Sequence, residues 1–488
     1  MPHGLLYGAS YNNGVLSFTD RQGRAICNAD LRKYLTFTAT ENNSSVALKK
    51  VGTVNNTYEY KLNDGAWTSY TLTTSGRAIT LNAGDIIKWR CTNRPTTFST
   101  SAYVQFVMTG KIEASNPVTS IVLYNLDPLS LDGYGNACRA LFKGCTALMQ
   151  APVLPATTLA YYCYDQMFSG CTSLVQAPVL PAITLGSGCY QEMFKGCTSL
   201  AQAPTLPASV VAAYCYQEMF KGCTSLAQAP ALPATTLATS CYYQMFYGCT
   251  SLAQAPALPA TTLATTCYYQ MFYGCTSLAQ APALPALSIP DSKLVNTSAL
   301  GCYVGMFYGC TSLVQAPALP ATTLGKGCYV NMFRGCTSLA QAPALPATTL
   351  PDVLNSSGTS LPAFGCYSDM FYGCTSLTQA PALPATTLGG ACYGFMFYGC
   401  TSLTQAPALP ATTLTFYCYA GMFGGCTSLN EIRVSATDIS ADRCTVNWTS
   451  NVSTTGNFYC DPNVTWETGV SGIPQNWVRH DIADYPTT

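Results

Sequence analysis

The apolar positions of this chain recur on a fixed beat. The segment Gly-Cys-Thr-Ser-Leu returns with its cysteine at 171, 197, 223, 249, 275, 310, 336, 374, 400 and 426, after an altered first copy, Gly144-Cys145-Thr146-Ala147-Leu148. The step is 26 residues, except for steps of 35 and 38 that hold insertions near 287–301 and 351–365. Eight residues before each of the ten cysteines stands another, in Cys-Tyr-x-x-Met-Phe, as at Cys241-Tyr242-Tyr243-Gln244-Met245-Phe246. The first copy, Cys138-Arg139-Ala140-Leu141-Phe142, lacks the Tyr and Met, as a terminal capping repeat should.

One unit shows what the pattern predicts. Leu252-Ala253-Gln254-Ala255 reads as a short strand that stops before Pro256, because proline cannot donate to a ladder. Residues 257–260 read as polyproline-like. Thr261-Thr262 is placed to cap a short helix starting near Leu263. On a helix Leu263, Cys267, Met271 and Cys275 fall on one side, and Gly274 stops it. Such a unit cannot bury its apolar face alone, so neighbours must stack, each adding one short parallel strand and one short helix. The predicted fold is an α/β solenoid, a leucine-rich-repeat array of about 11 repeats over residues 119–429.

The flanks differ. Residues 1–31 form an arm of mixed composition, a possible anchoring segment. Residues 32–118 read as a small all-β sandwich: Tyr58-Glu59-Tyr60-Lys61-Leu62 alternates before the turn signal Asn63-Asp64-Gly65, and three further strand-like runs follow. From Asn430 the pattern is lost, and residues 430–488, with Trp448, Trp466 and Trp477, read as a C-terminal cap over the last open core face.

Composition narrows the function. Charged residues are 9% of the chain, with 22 basic and 22 acidic, against about 25% charged in an average globular protein. There is no basic surface for nucleic acid and no run of the roughly 20 apolar residues that span a membrane. Met1-Pro2-His3-Gly4-Leu5-Leu6-Tyr7 lacks a basic n-region and a long apolar run, so no signal peptide is expected there. Catalytic and cofactor motifs are absent, and the eleven charged residues between Thr146 and Leu429 mostly lie in different repeats, whereas acid–base chemistry needs convergent groups. The expectation is no enzyme, no cofactor and no metal. Of 26 cysteines, 22 belong to the repeats. They are expected as two inward ladders of reduced thiols. Disulfides between repeats are the alternative, since stacked strands lie about 4.8 Å apart. With only His3 and His480 and no Cys-x-x-Cys, metal binding is disfavoured.

The pattern Met-Phe-x-Gly-Cys-Thr-Ser-Leu-x-x-x-Pro-x-Leu-Pro-Ala-Thr-Thr-Leu resembles the BspA-type leucine-rich repeats of Bacteroidetes and their phages. It covers residues 138–429, about 60% of the chain. The resemblance implies a curved right-handed solenoid and a role in adhesion to host proteins or surfaces, with no defined functional residue to carry over.

Two columns are candidates for ligand contact. One is a glutamine row that includes Gln228, Gln254, Gln280 and Gln315, which could instead satisfy itself as an amide ladder. The other precedes each Gly-Cys: Lys143, Ser169, Lys195, Lys221, Tyr247, Tyr273, Tyr308, Arg334, Tyr372 and Tyr398. Variation inside a nearly fixed frame marks an exposed column, and tyrosine buries much area at low entropy cost. The tyrosine after each first cysteine is expected in the core. The reading is a non-enzymatic adhesion or recognition protein presenting its solenoid to a protein or glycan on a host or mucosal surface. It is expected to be extracellular, as a phage virion fibre or decoration component held to other structural proteins through residues 1–118. A bacterial surface adhesin and a purely structural spacer are the alternatives.

Overall fold

The computed structural model describes residues 8–12, 15–19, 25–30, 34–93, 98–122, 129–291, 293–295, 298–352 and 365–485. The chain divides into two compact units, residues 1–234 with 248–252 and residues 235–247 with 253–488. Each is taken by itself.

The repeats are coils, but the expected helix is not there. Among the described residues α-helix is confined to the single turn Thr119–Val122. Where the Cys267 repeat was expected to be helical, a left-handed backbone recurs at Thr266 (φ 60°), Gln270 (φ 48°) and Gly274 (φ 68°), which no α-helix accommodates. The segment is instead a string of overlapping turns. Cys267, Tyr269, Met271, Tyr273 and Cys275 each donate their N–H to the carbonyl three residues back. The intervening donors reach the next coil: Gln270 to Val304 (2.9 Å), Phe272 to Met306 (2.9 Å) and Gly274 to Tyr308 (2.7 Å). The physical reason for the difference is the spacing. Residues inward every fourth position satisfy an i, i+4 helical stripe and this two-residue turn register equally well. Tyr, Phe, Cys and Gly are also poor helix formers. Because three of these eight donors are satisfied by a neighbour, the coil depends on stacking.

The remainder of each coil is joined to its neighbours by short parallel pairings where strands were expected. In the first unit Gln176, Gln202 and Gln228 are bridged in series. In the second, Gln254, Gln280, Gln315, Gln341 and Gln379 are. A second seam runs through the threonines, with Thr236 paired to Thr262 and Thr349 to Thr387. The Gln280–Gln315 and Gln341–Gln379 bridges pass the two insertions, so the stack continues across both. The first insertion holds an antiparallel hairpin, Lys293–Val295 with Ser298–Leu300. Most of the second, residues 353–364, lies outside the described residues.

Inside each coil the fixed residues form the core. Cys267, Met271, Phe272, Cys275 and Leu278 have no exposed surface, and Tyr268 has 2%. Leu263, expected inward, is half-buried. The phenylalanines stack in register, Phe142–Phe168–Phe194–Phe220 in the first unit (5.5–5.7 Å) and Phe246–Phe272–Phe307–Phe333–Phe371–Phe397–Phe423 in the second (5.6–5.9 Å). Each such buried side chain contributes about 1.5–3 kcal/mol. All 25 cysteines that follow Cys27 in the chain are free and buried. The second-ladder thiols tie each coil to the one before it: Cys336 Sγ donates to the Phe307 carbonyl of the preceding coil (3.1 Å), as Cys197 does to Phe168 (3.0 Å). Burial pushes the Cys197 and Cys426 thiols up to about 12.

The first unit begins with an antiparallel meander of β1 (Gly8–Asn12), β2 (Val15–Thr19) and β3 (Ala25–Asp30). The sandwich follows: β4 (Leu35–Ala39), β5 (Ser44–Val51), β6 (Tyr58–Leu62), β7 (Thr68–Tyr70), β8 (Ile79–Leu81), β9 (Ile86–Cys91), β10 (Tyr103–Thr109) and β11 (Ile112–Ser115). One sheet runs β10-β5-β8. The other is extended by the repeats. After β12 (Ser130–Leu131), strand β13 (Leu148–Gln150) of the first repeat pairs in parallel with β11, giving the order β13-β11-β4-β9-β6-β7. Phe106 of β10 serves as a rung before the first. Its ring stacks on Phe142 (5.4 Å, 12°), its N–H donates to Leu141 O (2.7 Å), and its carbonyl accepts from Cys145 Sγ (3.2 Å).

In the second unit the stacking outlasts the sequence pattern. Glu431–Arg433, Asn457–Cys460 and Val478–Asp481 are successive parallel strands, and Glu431 is bridged to Gln405. Trp448 stands 26 residues after Met422 and takes its place: Phe423 N–H donates to Trp448 O (2.9 Å) as Phe397 does to Met422 O (2.9 Å). The Trp448 indole is buried against Trp466 (5.5 Å) and Phe458 (6.0 Å).

Candidate recognition surface

The column before each Gly-Cys is where the two units part. Its geometry is set by the turn string. The following glycine is left-handed, as at Gly309 (φ 69°) and Gly335 (φ 72°), and turns the preceding side chain to the rim of the coil, half in solvent.

In the first unit this column is electrostatic. Lys143 Nζ donates to Gln166 Oε1 (2.6 Å), and Gln166 Nε2 to Glu192 Oε1 (3.4 Å). Lys195 bridges Glu192 (3.0 Å) and Glu218 (2.8 Å), and Lys221 meets Glu218 (3.1 Å). Burial works against the Lys195 charge, yet its bonds to Glu218 and Glu192 hold its pKa above the ordinary value.

In the second unit the same column is aromatic. Tyr247, Tyr273 and Tyr308 stack at 4.4 Å with interplanar angles of 3° and 14°. Tyr372 stacks on Tyr398 at 4.8 Å. Arg334 fills the gap, its guanidinium 5.8 Å from the Tyr308 ring and 3.9 Å from that of Tyr372. It donates to Asp369 (2.7 Å) and to Asn331 (3.3 Å). Burial pushes Asp369 up to about 6 against the pull of Arg334. The Tyr273 phenol is pushed up to about 12, by burial and by the neighbouring Tyr308 and Tyr247 hydroxyls.

The six candidates Tyr247, Tyr273, Tyr308, Arg334, Tyr372 and Tyr398 are thus brought together in one stripe. The glutamine row is separate from it. Gln228, Gln254, Gln280 and Gln315 are exposed; the backbone of Gln228 is bridged to Gln202, and those of Gln254, Gln280 and Gln315 are bridged in series. Among the described residues their amides form no hydrogen bonds with one another, so exposed side chains on a paired backbone take the place of an amide ladder. The tyrosines after the first cysteine are core, as at Tyr303 and Tyr329 (2% exposed each).

Sequence reasoning overlooked the position three residues before the column. There Glu192, Glu218, Asn331 and Asp369 supply the partners of Lys195, Lys221 and Arg334. The signal was present as charge complementarity at i, i+3. It also overlooked Tyr243 and Tyr269, half-buried and stacked at 4.8 Å. Among the described residues no group of three or more His, Cys, Asp or Glu is placed to hold a metal ion, and no helix is long and apolar enough to cross a membrane.

Stacked coils with a fixed core and one varied outer column define a tandem-repeat protein. Residues 138–339 match the model of the BspA type leucine rich repeat region, in six copies, and these residues are BspA-type leucine-rich repeats. No curated protein and no solved structure matches the chain. Repeats of this type are typically surface or extracellular.

Proposed function

We propose that the protein is a non-enzymatic adhesion protein whose stripe from Tyr247 to Tyr398 contacts a protein or glycan on a cell or mucosal surface. The observation that carries this reading is the stripe itself: six half-buried rim side chains in register on a rigid core, in a chain poor in charge. Stacking pre-orders the side chains, so little rotamer entropy is lost on contact. Contacts repeated from coil to coil add avidity where each is weak.

The sandwich supports an anchoring role for residues 1–118, since β11 and Phe106 tie it to the first repeat. In this reading the chain is a virion fibre or decoration component carried by other structural proteins; the alternative is a bacterial surface adhesin, and the family match supports the surface adhesin. Attachment of the full chain to intact gut bacterial cells and to immobilised mucin tests the adhesive reading. Tyr247, Tyr273, Tyr308, Tyr372 and Tyr398 changed together to Ser should weaken attachment, whereas any single change should do little. Unchanged attachment of a folded five-fold variant would leave the chain as a structural spacer.

A further inference from the structure

The tyrosine stripe has a chemistry separate from adhesion. We propose that it is a covalent modification site, where a peroxide-driven haem peroxidase joins neighbouring rings as dityrosine and staples adjacent coils. The pairs are Tyr247–Tyr273, Tyr273–Tyr308 and Tyr372–Tyr398.

Three observations carry this. The rings are close and nearly parallel, at 4.4, 4.4 and 4.8 Å. They are held there by the backbone, since Gly274 N–H binds the Tyr308 carbonyl (2.7 Å) and Gly373 N–H that of Tyr398 (2.7 Å). They are also partly open to solvent, whereas the 25 thiols that follow Cys27 in the chain, which would otherwise intercept a radical, are buried. The core tyrosines are an internal contrast: Tyr268–Tyr303 and Tyr303–Tyr329 lie at 5.9 and 5.6 Å and are sealed from solvent. Arg334 separates Tyr308 from Tyr372, so no coupling crosses that gap.

The step balances. Each of two phenols gives one electron and its hydroxyl proton to the oxidant. The two phenoxyl radicals form one carbon–carbon bond between ring positions ortho to the oxygens. The ring hydrogens at the joined carbons then move to the oxygens, restoring two phenols. One hydrogen peroxide takes up the two electrons and two protons and leaves as two waters. Tyr273 joins one of its two neighbours in any one molecule.

The test treats the dilute full chain with a haem peroxidase and stoichiometric hydrogen peroxide. It reads dityrosine fluorescence in the monomer and maps the joined peptides by mass spectrometry. Joined peptides are expected at the three named pairs and, by the same geometry, at the half-buried Tyr243–Tyr269 (4.8 Å), and at none of the core pairs. Tyr273→Phe should remove the first two and keep Tyr372–Tyr398, which reports that the variant is folded. The same oxidation in concentrated urea should abolish the selectivity. The proposal is overturned if the monomer carries no dityrosine, if coupling occurs only between chains, if Tyr273→Phe leaves the pattern unchanged, or if the unfolded chain gives the same pairs.

Discussion

The first and second units put the same frame to different use. Phe168 and Phe307, Cys197 and Cys336, and Met193 and Met332 are equally sealed. The column on their rim is Lys143, Ser169, Lys195 and Lys221 in one unit and Tyr247, Tyr273, Tyr308, Arg334, Tyr372 and Tyr398 in the other. The lysines are engaged by Gln166, Glu192 and Glu218. The tyrosines are engaged by one another. Folding is therefore set by the inward positions, and the rim can vary because it answers only to its neighbours on the rim. That is the separation a recognition scaffold needs.

The sharpest way to break this comparison is to cut the shared frame. Phe194→Ala in the first unit and Phe307→Ala in the second should each cost about 3–5 kcal/mol in denaturant unfolding, because each removes a fully buried ring stacked on both sides. Phe106→Ala should cost a similar amount, although Phe106 lies in the sandwich, because it is the rung beneath Phe142. A large cost in one unit and little in the other would mean that the frame is not shared.

A smaller effect is expected at the thiols. Cys336→Ser keeps a donor for the Phe307 carbonyl but buries a more polar group, at about 1–3 kcal/mol. Native protein should resist thiol reagents and react fully on unfolding; rapid reaction of most thiols in the folded state would contradict the ladders.

On the rim the two units should respond differently. Lys195→Met should cost no more than about 1 kcal/mol, and the loss should shrink with added salt, since the pairs are partly exposed. Tyr273→Ser removes two stacked contacts at about 0.5–1.5 kcal/mol each, independent of salt.

The smallest effect follows pH. Burial holds the Asp369 carboxyl at about 6 in the folded protein, above its ordinary 3.8. Its contribution to stability is therefore full below about 3.8 and is lost as pH rises through about 6. Asp369→Asn should stabilise the protein at about pH 8, by on the order of 1 kcal/mol, and do so no longer at about pH 4. The opposite trend would mean that the pairing with Arg334 outweighs burial.

Much of this was legible in the sequence. The 26-residue beat gave the inward residues, because a cysteine, a Met-Phe and a leucine at fixed spacing leave little freedom over what faces the core. The turn string was not legible behind the helical spacing, because backbone sign at Thr266 and Gln270 leaves no mark on composition. Nor was Phe106, which joins the phenylalanine stack from a β-strand and carries none of the repeat's spacing. Trp448 hid a further coil behind a large residue where Met is usual. At the site the column was legible as variation within a fixed frame, while its division into a charged part and a stacked part depended on partners three residues back and one coil away.

Salt-dependent attachment of paired rim variants decides whether the aromatic part of the rim, and not the charged part, makes the contact. The full chain, a variant with Lys143, Lys195 and Lys221 changed to Ser, and a variant with Tyr247, Tyr273, Tyr308, Tyr372 and Tyr398 changed to Ser would be measured against mucin and intact gut bacterial cells, each after its unfolding curve confirms a folded array. The lysine variant should attach like the parent at every salt concentration, and the tyrosine variant should lose most of its attachment. Loss in the lysine variant with retention in the tyrosine variant, or attachment that fades with salt in the parent, would contradict an aromatic contact.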